Sequence, residues 1–210
     1  MIKNRGFFIT FEGGEGSGKS LQSRLLYEHL KNDGFDVVLT HEPGGTSGSE
    51  EIRNILLKGN IDKWDPTSES LLYLASRSDH WNRLIKPSLD DGKIVISDRF
   101  HDSSVVYQGI CKNIDISFLD YIYNFITSRR YPDRTYFMKI DPEIGLKRSL
   151  GRVDNDETRF ENMDISFHKN VLDGFLRLSR EFEDRFYVVD GNMSINDIHS
   201  EIYDDIIKKI

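Results

Sequence analysis

The sequence predicts an α/β fold, with a five-stranded parallel sheet and helices on both of its faces. Two observations lead to this prediction. Strand-like and helix-like segments alternate along the 210 residues, and no Pro/Gly-rich linker, repeat or low-complexity stretch divides them. The first strand-like segment is followed by a glycine-rich loop and a helix. Such alternation is typical of parallel sheets covered by helices, so we expect a single domain over residues 1–210.

Five apolar stretches rich in β-branched and aromatic residues predict the strands. Their near-continuous hydrophobic character is typical of strands buried on both faces. The predicted strands are 7–11, 35–40, 93–98, 135–140 and 186–190. Because functional groups of parallel sheets gather at the carboxyl ends of the strands, we expect the site there.

Helical periodicity predicts the segments between the strands. The leucines between residues 21 and 30 share one stripe of a first helix, and a second helix begins near Ser49. Thr67 or Ser68 should cap a longer third helix, which Pro87 should kink or end. Further helices are predicted at 115–129 and from 141–143 onward. Two more follow, one with core-facing residues from Val171 to Phe182 and the last with core-facing isoleucines from Ile195 to Ile206.

The loop after the first strand has the phosphate-binding pattern G-x-x-x-x-G-K-S. Its glycines let backbone N–H groups turn toward a triphosphate, Lys19 should reach the β- and γ-phosphates, and the Ser20 hydroxyl should hold Mg²⁺. A plain tight turn is the alternative, but strand, spacing, Lys-Ser pair and helix coincide. We therefore expect ATP to bind here. The loop consists of Gly13, Gly14, Glu15, Gly16, Ser17, Gly18, Lys19 and Ser20.

The third predicted strand ends in Asp98, and Arg99 follows it. An acid that ends a strand beside a phosphate loop can organise Mg²⁺ or its water shell. An arginine offers a planar, permanently charged fork that suits a second phosphate. The alternative is an ordinary ion pair at a strand end.

Two pairs with four-residue spacing follow, and they would line one side of a helical turn. These pairs are Ser103 with Tyr107 and Ser104 with Gln108. Hydroxyl, amide and phenol groups could read the edge of a base and the face of a sugar. A polar helix surface is the alternative explanation.

Tyr73 and Arg77 form another four-residue pair, on the long third helix. The ring can stack on a base while the guanidinium donates to a carbonyl on its edge. A core tyrosine beside a solvated arginine is the alternative.

Composition narrows the class of protein. The net charge is −7 and no Lys/Arg cluster occurs, which argues against a nucleic-acid partner. Cys111 is the single cysteine, so no internal disulfide can form and an inert thiol is expected. No apolar leader or membrane-length stretch is present in the sequence, so we expect a cytoplasmic protein without a membrane partner.

Five short motifs resemble those of the bacterial thymidylate (dTMP) kinases. They lie at 42–46, 71–77, 98–100, 107–109 and 159–161, in the order of that family. The resemblance implies a P-loop nucleoside monophosphate kinase-like fold and a homodimer. It also implies transfer of the ATP γ-phosphoryl group to dTMP, giving dTDP and ADP in dTTP biosynthesis, with Mg²⁺.

The resemblance implies a role for each matching residue. Tyr73 would stack on thymine, and Arg77 would bond a thymine carbonyl. Arg99 and Arg53 would hold the dTMP phosphate, and the Tyr107 ring would crowd the 2′ position of the sugar. The full dTMP-binding set is Glu15, Glu42, Arg53, Tyr73, Arg77, Arg99, Ser103, Ser104, Tyr107 and Gln108.

A lid is expected near residues 148–160. One subgroup of the family carries a catalytic arginine in the phosphate loop, where this chain has Gly16, so the lid should supply the charge. We expect Arg152 to do so, Arg148 to contact ATP and Arg159 to belong to the lid. An ordinary solvated loop is the alternative. The expected catalytic residues are Lys19, Asp98, Arg99 and Arg152, and the expected metal-binding residues are Ser20 and Asp98.

Two other functions remain open at this point. One is a kinase for a different nucleotide or a deoxynucleoside on the same scaffold, against which the base-reading groups argue. The other is a nucleotide switch or ATPase adaptor, which would lack an acceptor pocket.

Overall fold

The computed structural model describes residues 5–151 and 159–210. Its sheet has five strands, all parallel, in the order β2-β3-β1-β4-β5. The predicted five-stranded parallel sheet is therefore confirmed. The strands are β1 Phe7–Glu12, β2 Val37–His41, β3 Ile94–Asp98, β4 Arg134–Lys139 and β5 Phe186–Asp190.

Helices connect the strands on both sides of the sheet, and two π-helical turns continue helical segments in the described part of the chain. The turns are Trp81–Ile85, which joins the helix Pro66–His80 to the helix Lys86–Asp90, and Val105–Ile110, which continues the helix His101–Ser104. None of the helices in the described ranges is long and apolar enough to cross a bilayer. The helices are α1 Lys19–Asn32, α2 Ser47–Leu57, α3 Pro66–His80, α4 Lys86–Asp90, α5 His101–Ser104, α6 Ile116–Thr127, α7 Pro142–Leu150, α8 Ile165–Glu181 and α9 Ile195–Ile206.

The hydrophobic core lies on both faces of the sheet. On one face α1 and α9 cover β1 and its neighbours, with Leu26 and Ile202 fully buried against Phe11. On the other face α8 packs Phe175 on Phe137 of β4, with ring centroids 5.4 Å apart. Burial of this apolar surface is the main stabilising term, and it fixes the loops at the carboxyl edge.

The structure corrects two expected boundaries and places Pro87. The cap of α3 is Asp65, whose carboxylate accepts from the N–H groups of Thr67 and Ser68, the two residues expected to cap. Strand β2 begins at Val37 rather than at residue 35 because the preceding chain completes the end of α1. Pro87 lies just after the first π-helical turn, and the helix continues to Asp90.

Candidate active site

The phosphate loop leaves the carboxyl end of β1 and enters α1 at Lys19. Gly16 adopts a φ of 63°, in the left-handed region. A Cβ at Gly16 would overlap the carbonyl oxygen of Gly145 in α7. Position 16 therefore requires glycine for its conformation and for the close approach of α7. An arginine at this position would not fit the loop as it stands.

Lys19 is folded back over the loop. Its Nζ donates to the Gly14 carbonyl at 2.7 Å and to Ser17 Oγ at 3.2 Å. Burial, and secondly the charge of Arg99, lower the pKa of Lys19 to about 8. A buried ammonium whose partners are mainly neutral groups is suited to receive a strong anion such as a phosphate.

Ser20 and Asp98 meet at the start of α1, where Ser20 Oγ donates to Asp98 Oδ2 at 2.5 Å. The other carboxylate oxygen, Asp98 Oδ1, is buried and has no hydrogen-bond partner among the described residues. A hydroxyl and a free carboxylate oxygen fit Mg²⁺, which uses few protein ligands and completes its shell with water and phosphate. The described ranges contain no cluster of three or more His, Cys, Asp or Glu side chains that could hold a metal.

Arg99 follows β3 and contacts the phosphate loop directly. Its backbone is left-handed, with φ 68°, and its guanidinium donates to the Gly13 carbonyl at 2.9 Å and to Glu15 at 2.8 Å. The guanidinium also lies 5.1 Å from the centroid of the Tyr107 ring. A left-handed backbone is strained in a residue other than glycine, and it persists only where neighbouring groups hold it in place. Such residues are frequent at functional sites.

Glu15 joins the loop to this acceptor side. It accepts from Tyr107 Oη at 2.9 Å as well as from Arg99. Burial opposes its ionisation, but the charges of Arg99 and Lys19 outweigh burial and hold the pKa of Glu15 at about 2. A permanent negative charge is therefore fixed between the two halves of the site.

Glu12, the last residue of β1, is a site residue that the sequence reasoning missed. It is fully buried and accepts from Phe100 N at 2.8 Å and from Ser103 Oγ at 2.6 Å. Burial, and secondly the charge of Asp102, raise its pKa to about 8. Since Ser103 also accepts from Arg99 at 3.2 Å, Glu12 helps to hold Arg99. An acid inside an apolar strand, next to the loop, was the available signal.

Arg77 is buried rather than solvated. Its side chain pairs with Glu42 at 2.7 Å and donates to Ser104 Oγ at 3.0 Å and to the Phe100 carbonyl at 3.1 Å. His80, which sequence reasoning also missed, lies 3.1 Å from the second Glu42 oxygen. Glu42 is thus mainly a partner that fixes Arg77, although it also lines the cleft.

One cavity of about 490 Å³ joins the phosphate loop to the acceptor side. Arg53 lines it, with one guanidinium nitrogen donating to the Pro43 carbonyl at 2.8 Å. Phe160 and Glu161, which were not predicted as ligands, line it too. The predicted site residues that line it are Glu15, Gly16, Ser17, Gly18, Lys19, Ser20, Glu42, Arg53, Tyr73, Arg77, Asp98, Arg99, Ser103, Ser104, Tyr107 and Gln108.

The lid arginines are placed differently from one another. Arg148 donates to the Gly191 carbonyl at 3.0 Å, in the connection between β5 and α9. Arg159 is only 3% exposed, and it donates to three backbone carbonyls and pairs with Glu69. Arg159 is therefore a buried side chain that anchors the end of the expected lid segment to the α2–α3 connection. Arg152 lies outside the described residues, as do all positions from 152 to 158.

This fold and cavity define a P-loop phosphotransferase with room for a second, base-bearing ligand. The thymidylate kinase family model matches residues 11–202. The chain therefore belongs to the thymidylate kinase family, and the resemblance drawn from its motifs is confirmed. Family members of this kind are kinases, so the chain is an enzyme of the nucleotide-kinase class.

Curated relatives and a solved structure agree with this assignment. The thymidylate kinase of Ruegeria pomeroyi is 43% identical over 206 residues, which cover 98% of this chain and 97% of the relative. That of Halothermothrix orenii is 44% identical over 201 residues, 95% of each chain. The crystal structure of thymidylate kinase from Ehrlichia chaffeensis matches with a TM-score of 0.78 and 36% identity, covering 96% of this chain and 98% of that one.

Proposed function

We propose that this chain transfers the γ-phosphoryl group of ATP to dTMP, giving ADP and dTDP for dTTP biosynthesis. One observation carries the proposal: a single cavity has Lys19 and the phosphate loop at one end and the buried Arg77 at the other. Arg99 lies between them. Donor and acceptor phosphates would meet beside Arg99, in the alignment that phosphoryl transfer requires.

On the donor side, the loop N–H groups and Lys19 would bind the ATP phosphates. Lys19 needs only to exchange the Gly14 carbonyl for phosphate oxygens. Ser20 and Asp98 would hold Mg²⁺, which when bound neutralises charge on the β- and γ-phosphates. Arg148, which lies beside the Gly191 carbonyl, would contact ATP away from the phosphates.

On the acceptor side, Arg99 and Arg53 would bind the dTMP phosphate. Tyr73 would stack on the base, and Arg77 would donate to a base carbonyl from a position that Glu42 and Ser104 fix. The remaining groups would read the sugar and the base edge, and the Tyr107 ring would exclude a 2′-hydroxyl. They are Glu15, Ser103, Ser104, Tyr107 and Gln108.

The transferring phosphoryl group needs one more cation. Position 16 has no space for a side chain, so the phosphate loop cannot supply it. We assign this role to Arg152 in the lid. A hydrogen-bond donor speeds the reaction most when it contacts the developing charge only in the transition state and not in the ground state.

Cytoplasmic location and a homodimer complete the proposal. Exposed apolar side chains on α3 and α6, two helices in contact with each other, support the dimer, because Phe125 is 80% exposed, Tyr121 is 69% exposed and Leu71 is 50% exposed. Large apolar side chains left exposed to this extent are typical of contacts between subunits. No nucleic-acid or membrane partner is included in the proposal.

A coupled assay of ADP formation tests the reaction. ADP should form rapidly with ATP, Mg²⁺ and dTMP together, and only slowly when dTMP is left out. Parallel reactions with dCMP, dAMP and dGMP test the acceptor. ADP formation at the same rate with and without dTMP would refute the proposed function.

A further inference from the structure

Glu69 of α3 is a fully buried carboxylate behind the base end of the cavity. Its Oε1 accepts from Lys112 Nζ at 2.6 Å and from Gln108 Nε2 at 3.2 Å. Its Oε2 lies 2.6 Å from Arg159 Nη2. Two cations thus face one buried carboxylate, which is the arrangement that keeps a charge stable away from water.

Gln108 lies between this carboxylate and the cavity. It is only 2% exposed, and what remains exposed lines the cavity. A side-chain amide has one donating end and one accepting end, and a carboxylate held between two cations only accepts. The amide nitrogen must therefore face Glu69, as it does in the structure, and the amide oxygen is left for a ligand.

We propose that Glu69 is a positioning residue that sets the base specificity of the acceptor site. It fixes the Gln108 amide with its oxygen toward the cavity. An accepting oxygen pairs with a pyrimidine that has an N–H at ring position 3, as in thymine. Cytosine has a lone pair at that position, and two facing acceptors repel and lose their hydrogen bond. The inference rests on the proposed acceptor, a pyrimidine nucleoside monophosphate.

Glu69 makes one contact that serves the structure, with Arg159, and one that positions the Gln108 amide, and the two can be tested apart. Arg159 ties the α2–α3 connection to Glu69, because it also donates to the carbonyls of Leu56, Asn60 and Ile61. Lys112 contacts the same Oε1 as Gln108 does, but it is not among the residues that line the cavity. Removing Lys112 therefore disturbs the carboxylate without touching the amide.

The test is the ratio of kcat/KM for dTMP to kcat/KM for dCMP. Glu69→Gln replaces the acceptor by an amide that can donate or accept, so Gln108 becomes free to turn over. We expect the ratio to fall about tenfold, the value of one hydrogen bond, with KM for ATP unchanged. Lys112→Met is the matched control, which loses a contact at the same oxygen and should keep the ratio.

A second variant covers a failure of Glu69→Gln to fold. Glu69→Asp keeps the charge for both cations but draws the carboxylate back from Gln108, so it should lower the ratio as well. In a Gln108→Met background, Glu69→Asp should have no further effect on the ratio, because no amide remains to be oriented.

Two results would overturn the inference alone: an unchanged ratio in folded Glu69 variants, or an equal fall in Lys112→Met. A wild-type enzyme that uses dCMP as well as dTMP would overturn the proposed acceptor and the inference with it. The wild-type ratio, measured first, therefore distinguishes the two failures.

Discussion

Replacing Gly145 by alanine should displace the phosphate loop, because Gly145 packs directly against the loop backbone. Gly145 lies in α7, on the side of the loop away from the phosphates' expected position, and its own Cβ would lie under 3.0 Å from the Glu15 carbonyl oxygen. Ordinary contact begins at 3.4 Å, so the loop or the helix must yield by roughly 1 Å in a close-packed region. The nearest atom is a backbone carbonyl oxygen and an alanine side chain has no rotamers, so no rotamer change can relieve the overlap.

The size of the effect follows from two opposed terms. Alanine gains about 1 kcal/mol over glycine in a helix, whereas overpacking costs about 1–3 kcal/mol. We therefore expect little change or a small fall in stability. A misplacement of about 1 Å can cost about 10² in rate, so kcat/KM for ATP should fall by about that factor. The variant should separate activity from stability.

The assay pairs steady-state kinetics with thermal unfolding of the apo protein. Gly48→Ala is the matched control: it is also a helical glycine, but the nearest neighbour of its Cβ is a side-chain oxygen of Asp79, at 3.2 Å, and not a backbone atom of the phosphate loop. It should keep its kcat/KM for ATP. Wild-type kcat/KM in Gly145→Ala would refute the claim that α7 and the loop are in direct steric contact.

Four further predictions concern the site itself. Lys19→Ala should remove most phosphoryl transfer while the protein stays folded, as activity and circular dichroism would show. Arg77→Met should raise KM for dTMP and leave KM for ATP nearly unchanged in steady-state kinetics. The folded protein holds the Glu12 proton more tightly than the unfolded chain does, so the free energy of unfolding should fall as the pH rises from about 4.5 to about 8. Urea unfolding at several pH values would measure this slope, and Glu12→Gln should remove it. Arg152→Ala should lower kcat, by up to about 10³–10⁵, far more than it raises KM for dTMP, measured at saturating ATP.

Each of these four predictions would be contradicted by a specific result. A folded Lys19→Ala enzyme with near wild-type turnover would remove the lysine from catalysis. A rise in KM for ATP alone in Arg77→Met would mean that the base pocket is misplaced. Equal pH slopes in wild type and Glu12→Gln would assign the slope to other groups. Unchanged kcat in Arg152→Ala would require a different cation for the phosphoryl group.

Much of the fold could be predicted because its signals are local. The apolar runs of β1 and β3 and the loop glycines lie in short, continuous segments whose patterns identify strand, turn and helix. Arg99, Tyr107 and Lys19 were predicted by residue type and spacing, and they line the cavity.

The buried acids could not be predicted in the same way. Glu12 meets Ser103, and Glu69 meets Gln108, across separations of 91 and 39 residues. A single sequence does not show which distant side chains will share a low-dielectric environment. The contacts of Arg159 could not be predicted for the same reason, because its partners Leu56 and Glu69 lie about a hundred residues away in the chain.

The strand order has a consequence for local unfolding. β1, which carries the phosphate loop, is central and is hydrogen-bonded on both sides, whereas β2 is an edge strand whose residues 37–39 are only half-buried. Amide hydrogen exchange should therefore be slowest in β1 and faster in β2. Opening of β2 would release Glu42 and with it the support of Arg77, while the loop stayed anchored. In such partly open states the chain would still bind a triphosphate, although the pocket for the base would be lost.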